Sequence, residues 1–122
     1  MVTYGPYTPV RQAGNLLFVS GQVGIDPKTK TAPKGVEGQT KQALLNLESA
    51  LRDRNASLRD IVKTTVFLVT MDDFTAMNAM YEQELPTPRP ARSTVGIREL
   101  PRLAGAIPLL VEIEAIAYKE AL

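Results

Sequence analysis

Leu16-Leu17-Phe18-Val19 runs apolar with no polar position between its residues. A strand with one face in water alternates apolar and polar side chains, so this unbroken run argues that both of its faces are covered. Just upstream, Gly14-Asn15 is a two-residue hairpin signal, which makes Val10 to Ala13 and Leu16 to Ser20 two antiparallel strands. The segment before them, Tyr4-Gly5-Pro6-Tyr7-Thr8-Pro9, is a loop, because two prolines and a glycine force extended or turn conformations. Ser20-Gly21-Gln22 leaves the second strand, and Asp26-Pro27-Lys28-Thr29-Lys30 through Lys34-Gly35 is turn chemistry over a solvated loop.

The chain beyond supplies two helices and three strands. From about Val36 to Arg54, Ala43, Leu44, Leu47, Ala50 and Leu51 recur at helical spacing opposite Lys41, Gln42, Glu48, Ser49 and Arg52. Asn55 stands where a left-handed terminating residue is expected, and Ser57 with Asp60 starts a short turn. Ile61 to Val69 is rich in β-branched residues and reads as a central strand. Val62, Thr64, Val66 and Leu68 fall on one face; Ile61, Lys63, Thr65, Phe67 and Val69 fall on the other. Asp72 or Asp73 is placed to cap a second helix running to about Glu84, with Phe74, Met77, Met80 and Tyr81 as its buried stripe. Leu85-Pro86-Thr87-Pro88-Arg89-Pro90 ends that helix. Arg92 to Ile97 is a further strand, Arg98 to Pro108 a loop, and Leu109 to Tyr118 the last strand.

The order ββαβαββ predicts an α+β single domain over residues 1–122, a sheet with two helices on one face. Two helices cannot cover two faces. Yet Leu16 to Val19 is apolar on both, and the far face of the last strand mixes Leu110, Ile116 and Tyr118 with Glu112 and Glu114. The expectation is a homo-oligomer that buries the second face, with polar groups there lining an interface cleft.

Composition narrows the chemistry. With 122 residues, 44% hydrophobic, 22% charged and a net charge of +1, the chain is an ordinary globular one with no charge excess to suggest nucleic acid or an anionic membrane. The absence of cysteine removes disulfides and thiol nucleophiles. The absence of histidine removes serine–histidine relays, histidine metal sites and imidazole acid–base chemistry. No signal peptide or membrane-length apolar run is visible, and a cytoplasmic protein is expected.

Among the remaining reactive residues Arg92 stands out, an arginine in Pro90-Ala91-Arg92-Ser93-Thr94 at the start of a strand. Its fork of donors matches a carboxylate, and leaving such a charge unpaired costs several kcal/mol. Two partners fit: a substrate carboxylate, or Glu112 or Glu114 in an internal salt bridge. Glu112 and Glu114, at i and i+2, make either a solvated face or, in a cleft, a group that holds water or moves a proton. Ser20-Gly21 is a strand exit whose hydroxyl and adjacent N–H groups would be neutral donors to an anion. Tyr7 is either a packing anchor or a ligand contact. Lys63 and Asn78 are weaker candidates, and no phosphate-cradling loop, Rossmann fingerprint or metal-ligand cluster is present.

The segments Gly5-Pro6-Tyr7, Leu17 to Gln22, Gln39-Thr40 with Asn46-Leu47, Val62 to Leu68, Asp73-Phe74 with Asn78 and Tyr81, Pro90 to Thr94, and Val111-Glu112-Ile113-Glu114-Ala115-Ile116-Ala117 together resemble the YjgF/Rid family of reactive intermediate (enamine/imine) deaminases. The resemblance implies a chorismate-mutase-like homotrimer with clefts between subunits. It implies hydrolysis of 2-aminoacrylate and related enamine or imine acids to 2-keto acids and ammonia, with no cofactor. By position, Arg92 would clamp the carboxylate and Glu112 would orient water or assist proton transfer. Tyr7 and Ser20 would line the pocket, and Gly21 and Thr94 would offer backbone groups. The chain departs from the family pattern in a longer Arg98–Pro108 loop, a shorter Tyr81–Arg92 segment, and Thr94 where many members have cysteine. The same clamp would equally serve a non-catalytic trimer that binds 2-keto acids and regulates a partner enzyme. An RNA-acting reading fits poorly with a near-neutral chain that has no basic aromatic surface.

Overall fold

Gly14 takes a left-handed φ of 59°, and around it Val10–Ala13 (β1) turns back on Leu16–Val23 (β2), Val10 facing Val19 and Ala13 facing Leu16. The structure, a computed structural model, describes residues 3–120. After a long loop follow Val36–Arg52 (α1), Ile61–Leu68 (β3), Phe74–Glu84 (α2), Ala91–Gly96 (β4) and Val111–Tyr118 (β5). The five strands form one sheet in the order β1-β2-β5-β3-β4. Every pairing is antiparallel except β3 with β4, where α2 provides the crossover a parallel pair requires.

Both helices pack on one face. Ala43, Leu44, Leu47, Ala50 and Leu51 of α1 and Met77 and Tyr81 of α2 share a core with Leu17, Val19, Val66, Leu68, Val111, Ile113, Ala115 and Ala117 of the sheet. Removing one fully buried leucine such as Leu47 costs about 2–5 kcal/mol by lost burial plus the cavity left behind. The other face has no cover. Leu16, Phe18, Val62, Val95 and Tyr118 lie exposed along it, with Phe67 and Ile116 half-buried among them.

The sequence-based strand and helix limits hold to within a few residues, and the deviations have physical reasons. Register shifts by one between Ile61 and Lys63, a bulge that turns Val62 outward and Ile61 into the core, the reverse of the strict alternation expected there. The second strand does not stop at Ser20 but continues to Val23 through a second irregularity between Val19 and Gln22. Neither Asp72 nor Asp73 caps α2 through its side chain. Thr70 does this work one turn earlier, accepting from the Asp72 N–H at 3.2 Å ahead of a single 3₁₀ turn. Within the expected stripe of α2 only Met77 and Tyr81 are fully buried, and Phe74 stays open to solvent. Asn55, as expected, is left-handed at φ 59°.

Two buried amides on α1 tie the loops to the core. Asn46 Nδ2 donates to the carbonyls of Val23 and Ile25 at 3.0 and 2.9 Å. Gln39 Nε2 donates to Pro33 and Pro108, while its Oε1 accepts from the Leu110 N–H at 2.7 Å. Unpaired, each of these buried groups would cost about 1–3 kcal/mol; paired, they hold segments far apart in sequence to one helix.

Candidate functional site

The edge strand β4 runs parallel to β3 with Arg92 beside Thr64 and Thr94 beside Val66. Thr64 and Val66 are fully buried beneath the helices, so Arg92 and Thr94 lie on the helix side of the sheet. There the Arg92 guanidinium stacks 4.8 Å from the centre of the Tyr81 ring and 5.8 Å from that of Phe74. Contact with ring faces favours the cation and holds the fork in one orientation. Tyr81 is itself held, its hydroxyl 2.7 Å from Thr64 Oγ1. Burial raises the Tyr81 pKa, against the opposing effect of the Thr64 hydrogen bond and of the Arg92 and Arg89 charges. Arg89, Arg92, Asn78, Tyr81, Glu82 and Pro90 line an open cavity of about 430 Å³. Among the described residues neither Arg89 nor Arg92 makes an ion pair. Close by in the fold, Asn78 Oδ1 and Thr94 Oγ1 are buried without a hydrogen-bond partner.

Glu112 and Glu114 lie on the opposite face, beside Phe67 and Thr65. The internal salt bridge to Arg92 is therefore absent: β3 stands between the groups, and the side chains leave the sheet in opposite directions. The carboxylates instead share a cavity of about 380 Å³ with Tyr4, Tyr7, Ser20, Gly21, Pro101 and Leu103. The Glu112 carboxylate rests on Gly21, where a Cβ would stand only 2.6 Å from its Oε2. Burial, and after it the nearby Glu114 charge, raises the Glu112 pKa above the ordinary carboxylate value.

Ser20 fixes the loop that carries Tyr7. Its hydroxyl donates to the Thr8 carbonyl at 2.7 Å and its N–H to the Pro9 carbonyl at 2.9 Å. The hydroxyl proton expected to meet an anion is thus used on the loop, and towards the cavity Ser20 presents an acceptor. Tyr7 is 43% exposed, and its hydroxyl accepts from the Tyr4 N–H at 3.2 Å, which leaves its own proton free. Lys63 caps its own strand end, donating to the Thr64 carbonyl at 2.8 Å, on the open face.

Of the residues singled out from sequence, the fold brings Tyr7, Ser20, Gly21 and Glu112 together, and sets Arg92 and Thr94 apart from them. Sequence reasoning missed the aromatic bed under Arg92, although Phe74 and Tyr81 stand seven residues apart on one helical face. It also missed Arg89, Pro101 and Leu103, which lie in loops without periodicity to announce them. Among the described residues no cluster of three metal-ligating side chains occurs, and no helix is long and apolar enough to cross a membrane.

The fold is a single α+β layer pair, with an arginine that makes no ion pair among the described residues on one face of the sheet and a half-buried carboxyl on the other. The family is more specific. The model described as Endoribonuclease L-PSP matches residues 1–119, and the chain belongs to this family, the YjgF/RutC proteins. It is 44% identical over 117 residues to a RutC family protein of Pyrococcus horikoshii, covering 95% of this chain and 89% of that one. It is 36% identical over 117 residues to the 2-iminobutanoate/2-iminopropanoate deaminase of Dermatophagoides farinae, covering 95% and 88%. The crystal structure of E. coli TdcF with bound serine superposes with a TM-score of 0.87 at 33% identity, covering 96% of this chain and 90% of that one.

Proposed function

We propose that this protein hydrolyses 2-imino acids and their enamine tautomers, 2-aminoacrylate among them, to 2-keto acids and ammonia, at sites completed between copies of the chain. Arg92 carries the reading. It is a fork of donors held on two rings, without a carboxylate partner among the described residues, so a substrate carboxylate is the natural occupant. The Glu112 cavity would supply the rest of the site from a neighbouring copy. Its counterpart surface exists: the open sheet face carries Leu16, Phe18 and Tyr118 exposed, an apolar patch that a second copy would cover, and a closed trimer is the assembly we propose.

The chemistry asks little of the protein. An enamine first takes a proton at C3 to become the imine. Water then adds to C2, Glu112 accepting one of its protons and passing it to the nitrogen, which gives the carbinolamine. Glu112 then takes the remaining hydroxyl proton and delivers it to the nitrogen, so that the C2–N bond breaks, ammonia leaves and C2–O becomes the carbonyl. The C=N carbon is already electrophilic, so orientation by Arg92 and proton exchange at Glu112 suffice and no cofactor enters. Support from relatives is in kind: one carries the deaminase name, and another crystallised with serine, a small carboxylate-bearing amino acid. That second observation also suits a purely binding, regulatory trimer, which would show saturable keto-acid binding without turnover. The cysteine-free chain accords with action in the cytosol.

The test couples the protein to a serine or threonine dehydratase and follows keto-acid release while semicarbazide competes for the imine. Wild type should accelerate release; Arg92→Ala and Glu112→Gln should not. If the site is shared between copies, refolding the two inactive variants together restores about a quarter of the wild-type rate, the fraction of interfaces at which both intact residues meet. An Arg92→Ala variant as active as wild type sinks the proposal. Ribonuclease activity that survives in Arg92→Ala would belong to another site.

A further inference from the structure

The segment between β4 and β5 is pinned at both ends. The Ile97 N–H donates to Leu68 at 2.8 Å, the Val69 N–H to Leu110 at 3.2 Å, and Gln39 holds Pro108 and Leu110. Its middle is packed rather than loose. Ala104 and Leu109 are buried with Val23, Ile25 and Ala32 in a second small core, on which Leu103 rests half-buried. A turn from Ala104 to Ile107, with Gly105 at φ 62°, closes it. The segment thereby presents Pro101 and Leu103 as one wall of the cavity that holds Gly21 and Glu112.

We infer that Pro101 and Leu103 are the specificity wall of this site, and that the side chain it accepts at C3 and beyond is aliphatic and uncharged. The inference rests on the imine-hydrolase reading. A 2-imino acid has three substituents at C2. Its carboxylate goes to Arg92, its C=N to the Glu112 carboxyl, and its side chain to the remaining surface of the cavity, Tyr4, Tyr7, Pro101 and Leu103. The lining that one chain supplies to this cavity carries two carboxylates and no cation, so a second anionic group directed along Pro101 and Leu103 would meet like charge there. A cationic side chain would have to shed water against Pro101 and Leu103.

An amino-acid oxidase acting on alanine, leucine, glutamate or arginine generates the four imines in place, and keto-acid release is read against semicarbazide. Wild type should prefer the leucine-derived imine over the glutamate-derived one by about a hundredfold. Leu103→Ala should lower the leucine-to-alanine preference about tenfold, the usual weight of a hydrophobic contact in a pocket. Leu103→Arg should raise the glutamate-derived rate, and Leu103→Met should keep the wild-type ranking, with thermal unfolding confirming that each variant folds. Calorimetric binding of 4-methyl-2-oxopentanoate against 2-oxoglutarate reads the wall without turnover. If no imine is turned over while this binding preference stands and is lost in Leu103→Ala, the hydrolase reading fails and the wall survives. An unchanged ranking in Leu103→Ala and Leu103→Arg, or a wild type that favours the glutamate- or arginine-derived imine, overturns the inference.

Discussion

Replacing Gly21 by alanine separates catalysis from folding in a way the geometry lets one work through. An alanine Cβ at this position would stand 2.6 Å from Glu112 Oε2, 2.7 Å from its Cδ and 2.9 Å from its Cγ. Ordinary contact begins near 3.4 Å, so the carboxyl must retreat by about 0.8 Å. It is the end of a flexible side chain at a cavity, and it has room to do so. Gly21 does not occupy the left-handed region, so alanine fits the backbone and gains about 0.4–1 kcal/mol from a less disordered unfolded chain. The expected variant is therefore as stable as wild type or slightly more so. Its activity should suffer, because displacing a catalytic group by about 1 Å costs on the order of a hundredfold. Dehydratase-coupled keto-acid release gives kcat/KM and thermal unfolding gives the stability. A Gly21→Ala protein within threefold of wild-type kcat/KM would refute the assignment of proton transfer to Glu112 in this position. Gly24→Ala is the control of opposite sign. Its Cβ would meet the Gln39 backbone at 2.6 and 2.7 Å, which a helix cannot yield, and it should lose about 1–3 kcal/mol of stability.

Other consequences are equally direct. Because the folded state raises the Glu112 pKa, it holds that proton more tightly than the unfolded chain does, and stability falls as pH rises from the ordinary value of about 4.3 through the raised one. Glu112→Gln should therefore be more stable than wild type at neutral pH, with the advantage disappearing below about pH 4 in denaturant titrations at several pH values. Gln39→Leu leaves the Leu110 N–H and the Pro33 and Pro108 carbonyls without their partner and should cost about 2–4 kcal/mol, read as a lower denaturant midpoint. Arg89→Gln removes the uncompensated cation beside the Arg92 clamp. It should raise KM severalfold with little change in kcat, and it should weaken the salt dependence of kcat/KM.

Periodicity carried most of the fold. The helices and strands announce themselves through burial, whereas the apolar run at Leu16 to Val19 led to the expectation that both faces are covered, and within the chain Leu16 and Phe18 stay exposed. What escaped were features that depend on one residue's departure from a period. The bulge at Val62 changes which side chains reach the core, and no propensity distinguishes it from a regular strand. The pairing of Arg92 was undecidable for a related reason. Sequence gives the parity of a residue within its strand, but which parity faces the helices follows from register, and register placed Arg92 and Glu112 on opposite faces. Gly21 and Glu112 could be named from the family pattern, yet their contact is a matter of tenths of an ångström that only coordinates supply.

Gln39 gives the chain a freedom that a catalytic residue could not. It clamps the far end of the β4–β5 segment to α1, while the Ile97–Leu68 hydrogen bond fixes the near end. Residues added or lost between those two fastenings change only a loop whose ends are already joined, and doubling such a loop costs only about 0.6 kcal/mol. Arg92 and Glu112 sit on strands outside the fastened segment and do not feel its length. A lineage built on this frame is thus free to resize the Pro101 and Leu103 side of the Glu112 cavity while Arg92 and Glu112 stand still.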